Sequence, residues 1–156
     1  KIYDVLKEQS KKHGALGMGY TYGGHPVSCA VALETLKIYE ERNIVERVRE
    51  LAPRFQERLS ALSKSSLVGE ARGVGLIGAL ELVADKNTRE QYPPELKIGA
   101  TLAARALNHG LVVRALPGDV IGICPPLIIT IGQIDELFDS LSIAVTETEA
   151  LVKKAA

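Results

Sequence analysis

Cysteine is scarce in this 156-residue chain: Cys29 and Cys124 are the only two, and no CxxC pair occurs. Two thiols make no disulfide framework, so a reducing, intracellular setting is the expectation. Histidine is limited to His13, His25 and His109. Together with the cysteines they lack the spacing of a metal-ligand set, and no metal is expected. Net charge is absent, because 19 lysines and arginines balance 19 aspartates and glutamates. Such a balance gives no strongly basic surface, so nucleic acid is not an expected partner. No apolar run reaches the length of a bilayer span, and no basic segment leads into an apolar stretch as in a secretory leader. No membrane partner is expected. An initiating methionine is also missing, since the chain starts at Lys1. We expect the chain to be the back part of a larger protein.

What is present is a globular composition with 46% hydrophobic residues, too apolar for a disordered chain. A short helix is expected over residues 1–12, stopped by Gly14. From Gly14 to Gly24 five glycines occur, which marks a loop where backbone can approach another group closely. A helix should then start near His25, with Pro26 at its first position. Its run Val27-Ser28-Cys29-Ala30-Val31-Ala32-Leu33 is apolar almost all round, so burial on most sides is expected, against a larger partner domain, since residues 14–42 do not close a core alone. Glu40 to Asn43 reads as a break.

Ile44, Val48, Leu51, Phe55, Leu59 and Leu62 recur at steps of 4, 3, 4, 4 and 3, the spacing of an amphipathic helix. Pro53 inside it predicts a kink or break near Leu51. Leu67-Val68 and Leu76 to Val83 read as strands, and residues 84–94 as a polar loop. A helix over residues 95–108 should bury Ile98, Leu102, Ala106 and Leu107, with Gly110 after it. Leu111 to Arg114 and Val120 to Cys124 read as a hairpin about Leu116-Pro117-Gly118-Asp119. Thr130 and Gln133 predict a capping box for a last helix. That helix should bury Ile134, Leu137, Phe138, Leu141 and Val145, with a frayed tail from Leu151. The charges of the second long helix and the last one read as solvated faces. The whole suggests a small α+β unit with helices on one side of an antiparallel sheet.

Two places could carry chemistry. A hydroxyl among the glycines before a helix, Thr21, can donate to a phosphate oxygen, helped by backbone N–H groups of the helix start. A tight loop whose threonine only packs explains the residues equally, and the residues alone lean that way. Arg114, at the end of an apolar strand, can clamp a carboxylate bidentately or close a strand-end salt bridge. Arg72 has the same alternatives and reads as structural. His25 reads as a packed or capping residue, and Asp119 as a turn residue.

The stretch Tyr20-Thr21-Tyr22-Gly23-Gly24-His25-Pro26-Val27-Ser28-Cys29-Ala30 resembles the hallmark segment of the class III aminotransferases. The match continues through Arg72-Gly73-Val74-Gly75-Leu76, Gly110-Leu111-Val112-Val113-Arg114 and Cys124-Pro125-Pro126-Leu127-Ile128-Ile129-Thr130. The omega-amino acid:pyruvate enzymes are the subgroup it is most similar to. The resemblance implies the α/β type I pyridoxal-phosphate transferase fold. Residues 1–42 would end the large cofactor-binding domain, and residues 43–156 would form the C-terminal small α+β domain. Pyridoxal 5′-phosphate would be the cofactor, with Thr21 and Tyr22 as cofactor-binding positions and Thr21 reaching its phosphate across a homodimer interface. Arg114 would bind the substrate carboxylate. Gly19, Gly23, Gly24 and His25 would frame the loop. Met18 departs from the family pattern, which has histidine there; a change of packing is expected, not loss of cofactor.

The implied activity is amino transfer from an omega-amino acid or amine to pyruvate or a similar keto acid, in the cytoplasm. The family's Schiff-base lysine would lie in the missing N-terminal portion, so this segment holds no catalytic residue and should be inactive alone. A racemase or mutase of the same family, and a non-catalytic dimerisation or binding domain, are the alternative readings.

Overall fold

The computed structural model describes residues 1–14 and 21–155. The chain divides into two compact units, Lys1–Arg42 and Asn43–Ala156.

The first unit holds two helices. Helix α1 (Ile2–His13) stops at Gly14, whose φ is 90° and whose N–H donates to Ser10 at 3.0 Å. Helix α2 (Pro26–Glu41) begins with Pro26 in its first turn, as its φ and missing donor favour. Within this chain none of the residues of α2 is buried, and Val27, Val31 and Leu33 are each more than 60% exposed. Among the described residues of the unit, α1 and the 21–25 turn bury none either, so the apolar sides of α2 are left without a cover here.

The second unit starts at Asn43, in the left-handed conformation at φ 50°, and enters α3 (Ile44–Ala61). Ile44, Leu51, Phe55 and Leu59 form its buried face. Pro53 does not interrupt the helix. It lies on the exposed side, where water can hydrate the carbonyl that loses its partner. Strands β1 (Val68–Val74) and β2 (Ile77–Leu82) form a hairpin. Helix α4 (Ile98–Asn108), strands β3 (Arg114–Leu116) and β4 (Val120–Ile123), and helix α5 (Ile131–Ala155) follow. The strands pair antiparallel in the order β1-β2-β4-β3.

Several strand and helix limits differ from expectation. The first strand runs on through Arg72-Gly73-Val74, because cross-strand pairing with β2 supplies what its glycines and charges lack in propensity. Arg114 begins β3 rather than ending a strand, since pairing starts opposite Gly122. Leu107 is 60% exposed. Helix α4 starts at Ile98, after a left-handed break at Lys97, which turns its buried row onto Ile98, Leu102 and Ala106. The tail remains helical to Ala155.

The core lies between one face of the sheet and α3, α4 and α5. Phe55, Leu59, Leu80, Leu102, Ile121 and Phe138 are at its centre. Phe55 and Phe138 meet edge to face, with centroids 5.0 Å apart, the arrangement ring quadrupoles favour. Gly78 lets α3 come close: a Cβ there would sit 2.8 Å from Cδ2 of Leu59. Gln56 of α3 also donates to the carbonyl of Gly75 at 2.9 Å, in the hairpin turn. The charged faces of α3 and α5 are not merely solvated. Arg54 bonds Asp135 at 2.8 Å through Nε, and Arg58 bonds Asp139. Thr130 and Gln133 form the expected capping box, with Gln133 N–H on Thr130 Oγ1 at 3.2 Å and Thr130 N–H on Gln133 Oε1 at 3.0 Å.

At the other end of α5, Glu149 accepts from Ser65 at 2.7 Å, Ser66 at 2.6 Å and Lys153 at 2.6 Å. Lys153 first, then Ser66 and Ser65, pull its carboxyl down to about 2 from an ordinary 4.5. A carboxyl lowered on folding stabilises the fold fully above its ordinary value, and that stabilisation is lost as pH falls toward 2. Glu149→Gln should therefore cost about 1–2 kcal/mol at neutral pH. Urea unfolding at a series of pH values should show this gap closing below the ordinary carboxyl value.

Candidate functional site

The first unit presents a turn feeding a helix start. Thr21 to Gly24 form the turn, closed by the His25 N–H on the Tyr22 carbonyl at 3.2 Å. Thr21 is exposed, and Tyr22 is 80% exposed. His25 is the N-cap residue of α2, and its carbonyl accepts the first helical bond, from Cys29, at 2.9 Å. Among the described residues no side chain caps this end, and no acidic residue stands in the first turn of α2. The partial positive charge of the helix start is therefore not offset by these groups. Thr21, Tyr22, Gly23, Gly24 and His25 are thus brought together by one turn. Gly19 and Met18 lie outside the described residues.

Arg114 belongs to the second unit. The sheet has one face on the core and one open face, and pairing puts Arg72, Ala79, Gly122 and Arg114 in a single cross-strand row. Period-two alternation places that row on the open side, since Leu80 and Ile121 of the neighbouring row are fully buried. The two arginines stand at its ends, over a low floor of Ala79 and Gly122. Arg72 is neutralised: its Nη1 lies 2.8 Å from Glu81 and 3.4 Å from Glu70. Arg114 is exposed and makes no hydrogen bond or ion pair among the described residues. With Ile77, Ala79, Leu116 and Cys124 it lines a depression of about 590 Å³. A larger groove of about 660 Å³, between Val113, Pro125, Pro126 and Leu137, has no charged lining residue. Of these two, only the Arg114 depression has a charged residue in its lining.

Two residues hold this region in place, and sequence reasoning passed over both. Asp119 was read only as a turn residue. Its Oδ1 accepts the Gly99 N–H at 2.8 Å, in the first turn of α4. It therefore ties the β3–β4 turn, and with it the hairpin bearing Arg114, to that helix. Gly99 allows the approach, because a Cβ there would lie 3.2 Å from the Asp119 backbone. With the helix read from residue 95 the need was hidden; once Lys97 is the N-cap residue, it supplies no side-chain acceptor, so the orphan N–H groups of α4 need one from elsewhere. Arg47 of α3 donates to the carbonyls of Ile128 and Ile129 at 3.2 and 2.9 Å, fixing the segment after β4. No pattern in sequence distinguishes it from the other arginines of α3.

The family described as Aminotransferase class-III matches residues 1–145. Gamma aminobutyrate transaminase 3, chloroplastic, from Solanum lycopersicum is 47% identical over 154 residues, which is 99% of this chain and 29% of that protein. Gamma aminobutyrate transaminase 1, mitochondrial, from the same organism is 46% identical over 99% of this chain and 30% of its own length. A PLP-bound aminotransferase mutant from Vibrio fluvialis superposes with a TM-score of 0.86 at 36% identity, covering 96% of this chain and 33% of that one. The chain thus spans about a third or less of the proteins it matches. The expected cytoplasmic location is overturned, since the two curated relatives are named as chloroplastic and mitochondrial.

Asp119→Ala should free the α4 N-terminus and the hairpin together, at a cost of about 1 kcal/mol, as for loss of a helix cap. Hydrogen exchange should speed up at the Gly99 amide and along β3–β4. Unchanged protection at Gly99 would count against the cap.

Proposed function

This chain belongs to the class III aminotransferases, of α/β type I fold, and we propose that the protein containing it moves an amino group from an omega-amino acid or amine to pyruvate or a similar keto acid. Residues 1–42 then end the large domain and residues 43–156 form the C-terminal small domain. The single observation that carries the reading is Arg114, an exposed guanidinium with no partner among the described residues, in a depression on the open sheet face. The donor side is supported by relatives named for gamma-aminobutyrate, whose amino group is distal to its carboxylate. The cofactor is pyridoxal 5′-phosphate, as in the PLP-bound relative. The first unit fits its phosphate: Thr21 offers a hydroxyl, and the α2 N-terminus has no capping side chain and no first-turn acid to repel an anion. A homodimer, with Thr21 serving the partner's site, completes the arrangement.

When bound, the cofactor supplies the electron sink that makes amino transfer feasible. Thr21 and the first turn of α2 hold its phosphate and fix its place through repeated turnovers. Tyr22 borders the same position. Arg114 receives the acceptor carboxylate through paired N–H donors and orients the keto group. The proton transfers require a lysine outside this chain's described groups, so Arg114 and Thr21 bind and orient but move no proton.

In the complete protein, Thr21→Ala should weaken cofactor affinity roughly tenfold, the value of one charge-assisted hydrogen bond. Spectroscopic titration with pyridoxal phosphate measures it, and unchanged affinity would remove Thr21 from the phosphate site. Arg114→Ala should raise KM for pyruvate roughly ten- to a hundredfold, and far less for an uncharged aldehyde. Steady-state kinetics with both acceptors decides, and equal effects would refute the carboxylate role.

A further inference from the structure

The open sheet face holds two carboxylates close to Arg114's row, yet Arg114 has no partner among the described residues. Glu70 and Glu81 face each other across β1 and β2, one alternate position along from the arginine row. Between Glu81 and Arg114 lie two strand spacings and a two-residue step, about 12 Å of backbone, within the joint reach of an extended glutamate and an extended arginine. The intervening floor of Ala79 and Gly122 offers no tall side chain to keep them apart. Glu81 is engaged instead by Arg72, which binds it at 2.8 Å and Glu70 at 3.4 Å toward the β1 edge of the same face. Both carboxylates are partly in water, with side chains 29% and 43% exposed, so neither is locked by burial.

We propose that Arg72 is a positioning residue: it sequesters Glu81 and Glu70 at the β1 edge so that Arg114 stays open for the acceptor carboxylate. This rests on the reading of Arg114 given above. Without the Arg72 cation, two uncompensated carboxylates share the face with one free guanidinium, and Glu81 competes with the keto acid for it. The competition is intramolecular and of one sign: it penalises anionic acceptors and spares uncharged ones.

The test uses the complete protein and two acceptors, pyruvate and an uncharged aldehyde. Arg72→Ala should raise KM for pyruvate roughly two- to fivefold, the size of one exposed ion pair, and change aldehyde turnover far less. Adding Glu81→Gln to Arg72→Ala should bring the pyruvate KM back down, and Arg72→Lys, which keeps the cation, should stay near the parent value. A merely structural arginine would instead depress both acceptors alike, with no relief from Glu81→Gln; that result overturns the proposal. If Arg72→Ala does not fold, Arg72→Gln, uncharged and of similar shape, is measured in the same way. Arg114→Ala is run alongside. Should it treat both acceptors alike, the carboxylate site and this proposal fall together. Should it discriminate while the uncharged Arg72 variants do not, only the role of Arg72 falls.

Discussion

The seating of α3 on the β1–β2 hairpin is the contact on which the second unit depends. Leu59 and Phe55 press onto Gly78, where any Cβ would be 2.8 Å from Leu59 and 3.2 Å from Phe55. Gln56 holds the hairpin turn through the carbonyl of Gly75. Next to that turn, in β1, a Cβ on Gly73 would run into the Ile77 carbonyl. With helix and hairpin locked together, β2 has only one register against β4. A slip of one residue would send Leu80 and Leu82 outward and bring Ala79 and Glu81 into the core. The open-face row of Arg72, Ala79, Gly122 and Arg114 is therefore a by-product of apolar packing on the opposite face.

Around that apolar centre, polar staples fix the periphery. Arg54 and Arg58 tie α3 to α5, and Glu149 ties α5 to the segment before β1. Asp119 ties the second hairpin to α4. Each joins elements far apart in sequence. Each also leaves the open sheet face alone, so the charges there answer only to one another and to what arrives from solvent.

The sequence made the helices legible because their signals are local. The 4, 3, 4, 4, 3 spacing from Ile44 to Leu62, Pro26 at a first turn, and the Thr130–Gln133 capping box each lie within one element. The strands were less legible, because Arg72-Gly73-Val74 has weak strand propensity and acquires its conformation only from pairing. Thr21 and Arg114 could be singled out by residue type and motif. That Arg114 shares a row with Arg72, while Glu81 lies on the same face and pairs with Arg72, is a matter of register among four strands, and no linear spacing encodes it. Helix α2 shows the converse: its all-round apolar pattern is plain in sequence, but burial is a property of neighbours, and the described residues of the first unit leave it exposed.

Among the described residues Arg114 has no counter-ion, so its charge is balanced by the mobile ions of the medium. The reach of that charge is then set by the salt around it: about 10 Å at 0.1 M ionic strength and shorter as salt rises. Arg72, held against two carboxylates, is far less sensitive to the medium, so added salt sets the two arginines of one row apart.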